Sequence, residues 1–183
     1  MWFAEATAAG AAQPEAMALA TATPDGWPSA RMVLLKGFDE RGFVFHTNYQ
    51  SRKGREMAEN PRAAAVLYWV ELHRQVRIEG CVETISAAES DAYFRTRARG
   101  SQLGALASNQ SRVIESRALL ERRARELAAG YEGRAIPRPA HWGGYRLRPE
   151  TLEFWQGQPD RLHDRLRYSR RPDGTWLLER LEP

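Results

Sequence analysis

An α+β fold dominated by antiparallel β-structure, a small barrel with flanking helices, is what this 183-residue sequence predicts. Three features carry that expectation. Five strand-type runs with short turns between them fill the first half. Two helix signatures then interrupt the strands, and after Pro137 and Pro139 the strand pattern resumes.

Residues 1–15 are alanine-rich with little periodicity and read as a short helix or loose tail leading into one ordered domain, 16–183. Residues 16–22 read as a strand, Pro24-Asp25-Gly26 as a turn, and 28–38 as a long strand. The hairpin connection 39–42 leads to a third strand at 43–47. Ser51 suits the N-cap of a helix over 52–59, which Asn60-Pro61 ends. Strands follow at 63–72 and 75–85, the second alternating as Val76, Ile78, Gly80 and Val82. Ser86-Ala87-Ala88-Glu89 is a capping box that opens a helix carrying Tyr93, Phe94 and Arg97, with Gly100 a point where its path can bend before Ser101. Residues 116–131 form an amphipathic helix, with Leu120, Ala124, Leu127 and Tyr131 on one stripe and arginines opposite. The closing strands lie at 144–147, 151–155, 162–170 and 176–180.

Composition narrows the function classes. The chain fits a single domain of ordinary size. Its longest apolar run, 63–70, is too short to span a membrane, and the N-terminus lacks the basic region of a secretory signal. One cysteine, Cys81, excludes an internal disulfide and a cysteine metal cluster, so the expected compartment is the reducing cytoplasm and no metal site is expected. The net charge of +4 comes from arginines interleaved with acids, a solvated-helix pattern, and no nucleic-acid motif accompanies it. Small phosphorylated ligands account for such scattered cations equally well.

Of the 27 Lys and Arg residues only Lys36 and Lys53 are lysine. A compact ammonium aims at one oxygen where the flat arginine fork does not fit, so these two positions stand out. Lys36 ends the run Arg31, Met32, Val33, Leu34, Leu35, Lys36, in which period two sends Arg31 and Lys36 to opposite faces, roughly 16 Å apart at strand rise. Arg52 and Lys53 occupy the first turn of a helix, where they oppose the helix dipole unless an anion docks on the free amides there. Tyr93, Arg97 and Ser101, each four apart, can converge on a second anion. Arg161, His163 and Arg165 project to one side if 162–170 is a strand, next to Phe154-Trp155-Gln156-Gly157. A histidine flanked by two arginines favours the neutral, proton-accepting imidazole.

Taken with Arg74-Gln75-Val76, Asn109-Gln110-Ser111 and Trp142-Gly143-Gly144, these motifs make the sequence resemble the pyridoxine/pyridoxamine 5′-phosphate oxidases from about Trp2 to Pro183. The resemblance implies an FMN-binding split barrel, a Greek-key-like antiparallel barrel with flanking helices. It implies a homodimer with FMN at the subunit interface and contacts from each chain. FMN contacts would come from Arg31, Met32, Val33, Leu34, Leu35, Lys36, His46, Thr47, Arg52, Lys53, Gln75, Gln110, Ser111, Trp155 and Arg165. Arg52, Lys53 and Ser111 would hold its phosphate.

Lys36, Tyr93, Arg97 and Ser101 would clamp the substrate phosphate, while Arg161, Leu162 and His163 would line the reacting carbon, with Arg161 and His163 as the catalytic pair. The implied reaction converts pyridoxamine or pyridoxine 5′-phosphate to pyridoxal 5′-phosphate with O2 as oxidant. Two features depart from the family pattern. His46 stands where an aromatic such as tyrosine is common, and the chain begins close to the first strand, so a substrate-covering N-terminal extension is either absent or cut short. Rival readings are a related oxidase of another ring, such as a phenazine precursor, and a flavin- or pyridoxal-phosphate-binding protein without activity.

Overall fold

The computed structural model describes residues 2–183; Met1 lies outside them. The first three strands, β1 (Ala16–Ala22), β2 (Pro28–Asp39) and β3 (Gly42–Asn48), form a meander. Helix α2 (Arg52–Glu59) then carries the chain across to β4 (Arg62–Trp69), which pairs with β1 rather than β3. The spatial order β3-β2-β1-β4 is a Greek key. Strand β5 (Arg74–Thr84) continues the sheet to β6 (Trp142–Gln156), and β6 pairs back onto β3, which closes a six-stranded barrel.

Two strands extend beyond the barrel: β7 (Asp164–Arg170) on β6, and β8 (Trp176–Leu181) on β7. Residues 142–147 of β6 pair with β3 while 151–156 pair with β7, so one edge of β6 serves first the closed barrel and then the extension. The changeover lies at Pro149, which has no N–H to give, opposite a register shift at Glu79/Gly80. The two strands expected at 144–147 and 151–155 are therefore one strand of 15 residues.

Inward-facing residues of β1 to β6 fill the barrel, among them Met17, Leu19, Phe45, Ile78 and Leu147, all at 0% exposure. Each such large side chain contributes about 1.5–3 kcal/mol through burial. Helix α1 (Trp2–Ala8) belongs to this core: Ala6 is fully buried, and Trp2 and Phe3 pack against the barrel. The lead-in expected over 1–15 is thus, as far as it is described, an integral helix and the residues after it.

Between β5 and β6 lie three helices, α3 (Ala87–Thr96), α4 (Arg99–Ala107) and α5 (Arg117–Gly130). The capping box at Ser86 and Glu89 forms in both directions. The break between α3 and α4 falls at Arg97 and Ala98, not at Gly100, which sits inside α4; Arg97 turns extended with ψ 144°. Strand β4 also ends earlier than the apolar run suggests: residues 70–72 form a 3-10 turn closed by left-handed His73.

Candidate active site

At the start of α2 the expected cap forms: the Ser51 side chain accepts from the Gly54 N–H. Gly54 is required there, because a Cβ would lie 2.1 Å from the Tyr49 carbonyl oxygen. This close approach sets the first turn of α2 against the end of β3 and the segment 108–111. The Arg52 N–H donates to Ser111 Oγ at 3.1 Å, and Lys53 Nζ donates to Thr47 Oγ1 and Gln110 Oε1, both at 3.2 Å. Five residues expected at one site, Thr47, Arg52, Lys53, Gln110 and Ser111, are thereby brought together from three parts of the chain. Ser111 adopts φ 70°, a left-handed backbone that exposes it to the helix end.

Lys53 is only 9% exposed. Burial, and then the Arg31 charge, pull its ammonium below the usual lysine range, with Glu56 acting in the opposite sense. Its hydrogen bonds go to neutral oxygens, and it has no ion pair among the described residues. A buried cation at a helix N-terminus, beside the Ser111 hydroxyl, is a donor set that suits a phosphate.

Behind Lys53 lies a buried polar group that the motifs did not disclose. Glu56 accepts from Ser29 Oγ at 2.6 Å, Thr21 Oγ1 at 2.5 Å, Arg52 Nε at 2.8 Å and Arg31 Nη2 at 3.2 Å. Burial pushes its carboxyl up, but the hydrogen bonds from Ser29, Thr21 and Arg52 and the Arg31 charge outweigh this and hold it at about 2. Arg31 does face inward, and its guanidinium also serves Leu19 O, Thr21 and Ser29. A visible signal was the acid one helical turn after Arg52.

A cleft of about 430 Å³ opens beside this group, lined by Lys36, His46, Tyr93, Arg97, Ser101 and Gln110 among others. Lys36 lies where the β2–β3 register shifts, a bulge that re-aims its side chain off the regular ladder. The break after α3 does not separate Tyr93, Arg97 and Ser101, since all three reach the same cleft. Arg97 lies 4.6 Å over the Trp142 ring, and its Nη1 is buried without a partner. His46 stacks on Tyr93 at 4.0 Å and Trp142 at 5.2 Å, with both ring nitrogens buried and unpartnered. Burial first, then Arg97 and Lys36, pull the imidazole down to about 4. Trp142, quoted only as part of a motif, is thus the wall on which both cleft bases rest.

The remaining candidates form a second group. Gln75, Trp155 and Arg165 are direct neighbours across β5, β6 and β7. Arg165 is held by Glu153 through Nε at 2.9 Å and Nη2 at 3.1 Å. Residues 159–163 are not part of a strand, which corrects the expected same-side array. Pro159 opens a short 3-10 turn, Asp160 and Arg161 take φ of 55° and 63°, and β7 begins only at Asp164. His163 still meets Trp155, with ring centroids 4.8 Å apart, and its Nδ1 accepts from the Gln158 N–H at 3.1 Å. Arg161 and Leu162 are exposed. No member of this second group lines the 430 Å³ cleft.

Comparison with known proteins identifies the family. Residues 3–129 match the model of the pyridoxamine 5′-phosphate oxidase family, and 142–183 match the pyridoxine 5′-phosphate oxidase C-terminal dimerisation region. A pyridoxine/pyridoxamine 5′-phosphate oxidase of Nostoc punctiforme is 63% identical over 182 residues, covering 100% of this chain and 85% of the relative. One of Rubrobacter xylanophilus is 64% identical, covering 100% and 83%.

Among solved structures, PhzG from Burkholderia lata, in complex with tetrahydrophenazine-1-carboxylic acid, superposes with a TM-score of 0.95 at 41% identity over 100% of this chain and 89% of that one. A pyridoxamine 5′-phosphate oxidase-related, FMN-binding protein of Nostoc punctiforme shares the fold, with a TM-score of 0.78 at 20% identity over 100% and 95%. The closed barrel with its two-strand extension, both family models and relatives this similar along the whole chain place it in the pyridoxine/pyridoxamine 5′-phosphate oxidase family of FMN-dependent split-barrel enzymes.

Proposed function

We propose that the chain oxidises pyridoxamine 5′-phosphate and pyridoxine 5′-phosphate to pyridoxal 5′-phosphate with FMN and O2, releasing H2O2, and NH3 from the amine, in vitamin B6 salvage or biosynthesis. The observation that carries this reading is the cleft in which Lys36, Tyr93, Arg97 and Ser101 converge, with Arg97 Nη1 buried and unpartnered. A buried donor left unmatched costs about 1–3 kcal/mol, which a phosphate oxygen would recover. Two cations and two hydroxyls suit a phosphate, whose three terminal oxygens need several donors.

The residues at the start of α2 fit the phosphate of FMN, because the Ser111 hydroxyl, the helix N-terminus, Arg52 and Lys53, whose hydrogen bonds go to neutral oxygens, converge there. When bound, the flavin would supply the acceptor for a hydride from C4′ and the route by which O2 takes up the electrons. The strand from Arg31 to Lys36, with His46, Thr47 and Gln110, would line the same side of the flavin. Gln75, Trp155 and Arg165 would come from a second copy of the chain, in a homodimer with the flavin at the subunit interface. In that setting Lys36, Tyr93, Arg97 and Ser101 fix the substrate by its phosphate, and Arg161 and Leu162 cover its ring. His163 orients the reacting amine or hydroxyl or takes its proton.

One observation favours a second reading. PhzG, at 41% identity, holds a tetrahydrophenazine carboxylic acid, so an oxidase of another ring is the rival. The test is to load the purified chain with FMN and supply pyridoxamine 5′-phosphate in air. Pyridoxal 5′-phosphate and H2O2 are expected in equal amounts. Flavin binding with neither product would overturn the assignment.

A further inference from the structure

We propose that Glu56 is a positioning residue for the anion site: it holds the guanidinium groups of Arg31 and Arg52 at the start of α2 and so presents a fixed cationic frame to the phosphate of the flavin. This rests on the reading of that site as the FMN phosphate site. Glu56 is 4% exposed and acts through other residues rather than on the ligand. Its two carboxylate oxygens divide the task. Oε1 takes Arg52 Nε at 2.8 Å, and Oε2 takes Arg31 Nη2 at 3.2 Å together with the hydroxyls of Ser29 and Thr21.

The need for such a residue follows from the charges around it. The Arg52 side chain is 54% exposed and, without a tether, would spread over many rotamers. Bonding through Nε fixes the plane of its guanidinium and keeps both Nη groups for a ligand. Arg31 and Lys53 repel each other across the site, and Glu56 is the acid that offsets both. A glutamine would keep the shape and one acceptor, but in either orientation its amide NH2 would face one of the two arginine donors, and that arginine would have to move.

Removing an acid near a phosphate also strengthens the bare Coulomb attraction, so positioning and charge predict opposite outcomes. The experiment is titration of the flavin-free full chain with FMN and with riboflavin, which lacks the phosphate, followed by flavin fluorescence. If Glu56 positions the cationic frame, Glu56→Gln lowers the preference for FMN over riboflavin by about tenfold and leaves riboflavin affinity unchanged. An equal loss for both ligands would mean a merely structural role, and an unchanged or increased preference would mean that geometry is not what Glu56 supplies; each result overturns the proposal.

If Glu56→Gln does not fold, Ser29→Ala decides. It removes the hydroxyl that bridges Glu56 and Arg31 while keeping every charge. A drop in the FMN preference of at least about twofold is expected. No drop overturns the proposal. Failure of the parent chain to prefer FMN over riboflavin would instead overturn the reading of the site on which it rests.

Discussion

Lys53 and Arg97 are both partly or fully buried cations, and the proposed function assigns them different ligands, a difference that can be measured. Lys53→Ala removes a charge-assisted bond worth about 1.5–3 kcal/mol from the FMN phosphate and should weaken FMN by roughly tenfold or more. Arg97→Ala should leave FMN in place and raise KM for the phosphorylated substrate, with some loss in kcat because remote binding energy also positions the ring. Equal flavin retention in Lys53→Ala and its parent, or unaltered KM and kcat in Arg97→Ala, would remove the respective residue from its role.

Glu56 gives a pH signature. Its folded carboxyl, at about 2, lies below the ordinary value of 4.5. The stability it contributes, about 3 kcal/mol for a shift of that size, is fully present above pH 4.5 and is lost as pH falls toward 2. Thermal melts between pH 5 and pH 2.5 should therefore fall more steeply for the parent than for Glu56→Gln; parallel curves would show that the cluster contributes no such linkage. At this scale the sequence disclosed the cations by their rarity or position, but not the acid behind them. A buried carboxylate has the same letter as a solvated one, and only the fold reveals that Thr21, Ser29 and Arg31 surround it.

Local chemistry decided which elements were legible. Helix α2 was read to the residue because Ser51, Asn60 and Pro61 punctuate it, and the β1–β3 meander because its turns carry Gly26 and Gly42 at positive φ. The errors lie where a local signal misleads. Pro149 suggests a strand break, but it falls at the changeover of β6 from β3 to β7, where a missing N–H is tolerated. The alternation through Arg161, His163 and Arg165 suggests a strand, but Asp160 and Arg161 turn left-handed without a glycine to announce it.

That turn bears on mechanism, because His163 is placed by a ring contact with Trp155 and a bond from the Gln158 N–H rather than by a ladder. His163→Asn should lower kcat at the small end of the ~10²–10⁴ range of general acid-base effects while flavin and substrate affinity hold. An unchanged kcat would exclude His163 from the chemistry. At α2, Gly54→Ala should abolish tight FMN binding, since the added Cβ cannot coexist with the Tyr49 carbonyl 2.1 Å away. Retention of FMN by a folded Gly54→Ala protein would show that the close packing of α2 on β3 does not build the site.

For the whole molecule, the barrel brings the α2 terminus and the cleft lined by Lys36, Tyr93, Arg97 and Ser101 together, while Trp155, His163 and Arg165 lie on β6, β7 and the turn between them, next to Gln75 of β5. The sequence gives both residue sets but not their division between two places, because that depends on which strands pair with β6. The match to the dimerisation region spans 142–183, which is β6 and the extension itself. None of the described helices is long and apolar enough to cross a membrane.

The central claim is that a phosphate held by Lys36, Tyr93, Arg97 and Ser101 presents a ring for oxidation. Its most direct test is the rate of anaerobic flavin bleaching in the FMN-loaded chain, measured by stopped flow with pyridoxamine 5′-phosphate and with pyridoxamine at equal concentration. Losing several charge-assisted bonds of about 1.5–3 kcal/mol each should slow bleaching at subsaturating substrate by roughly a thousandfold or more when the phosphate is absent. Bleaching at the same rate with both compounds, or with neither, would contradict the account.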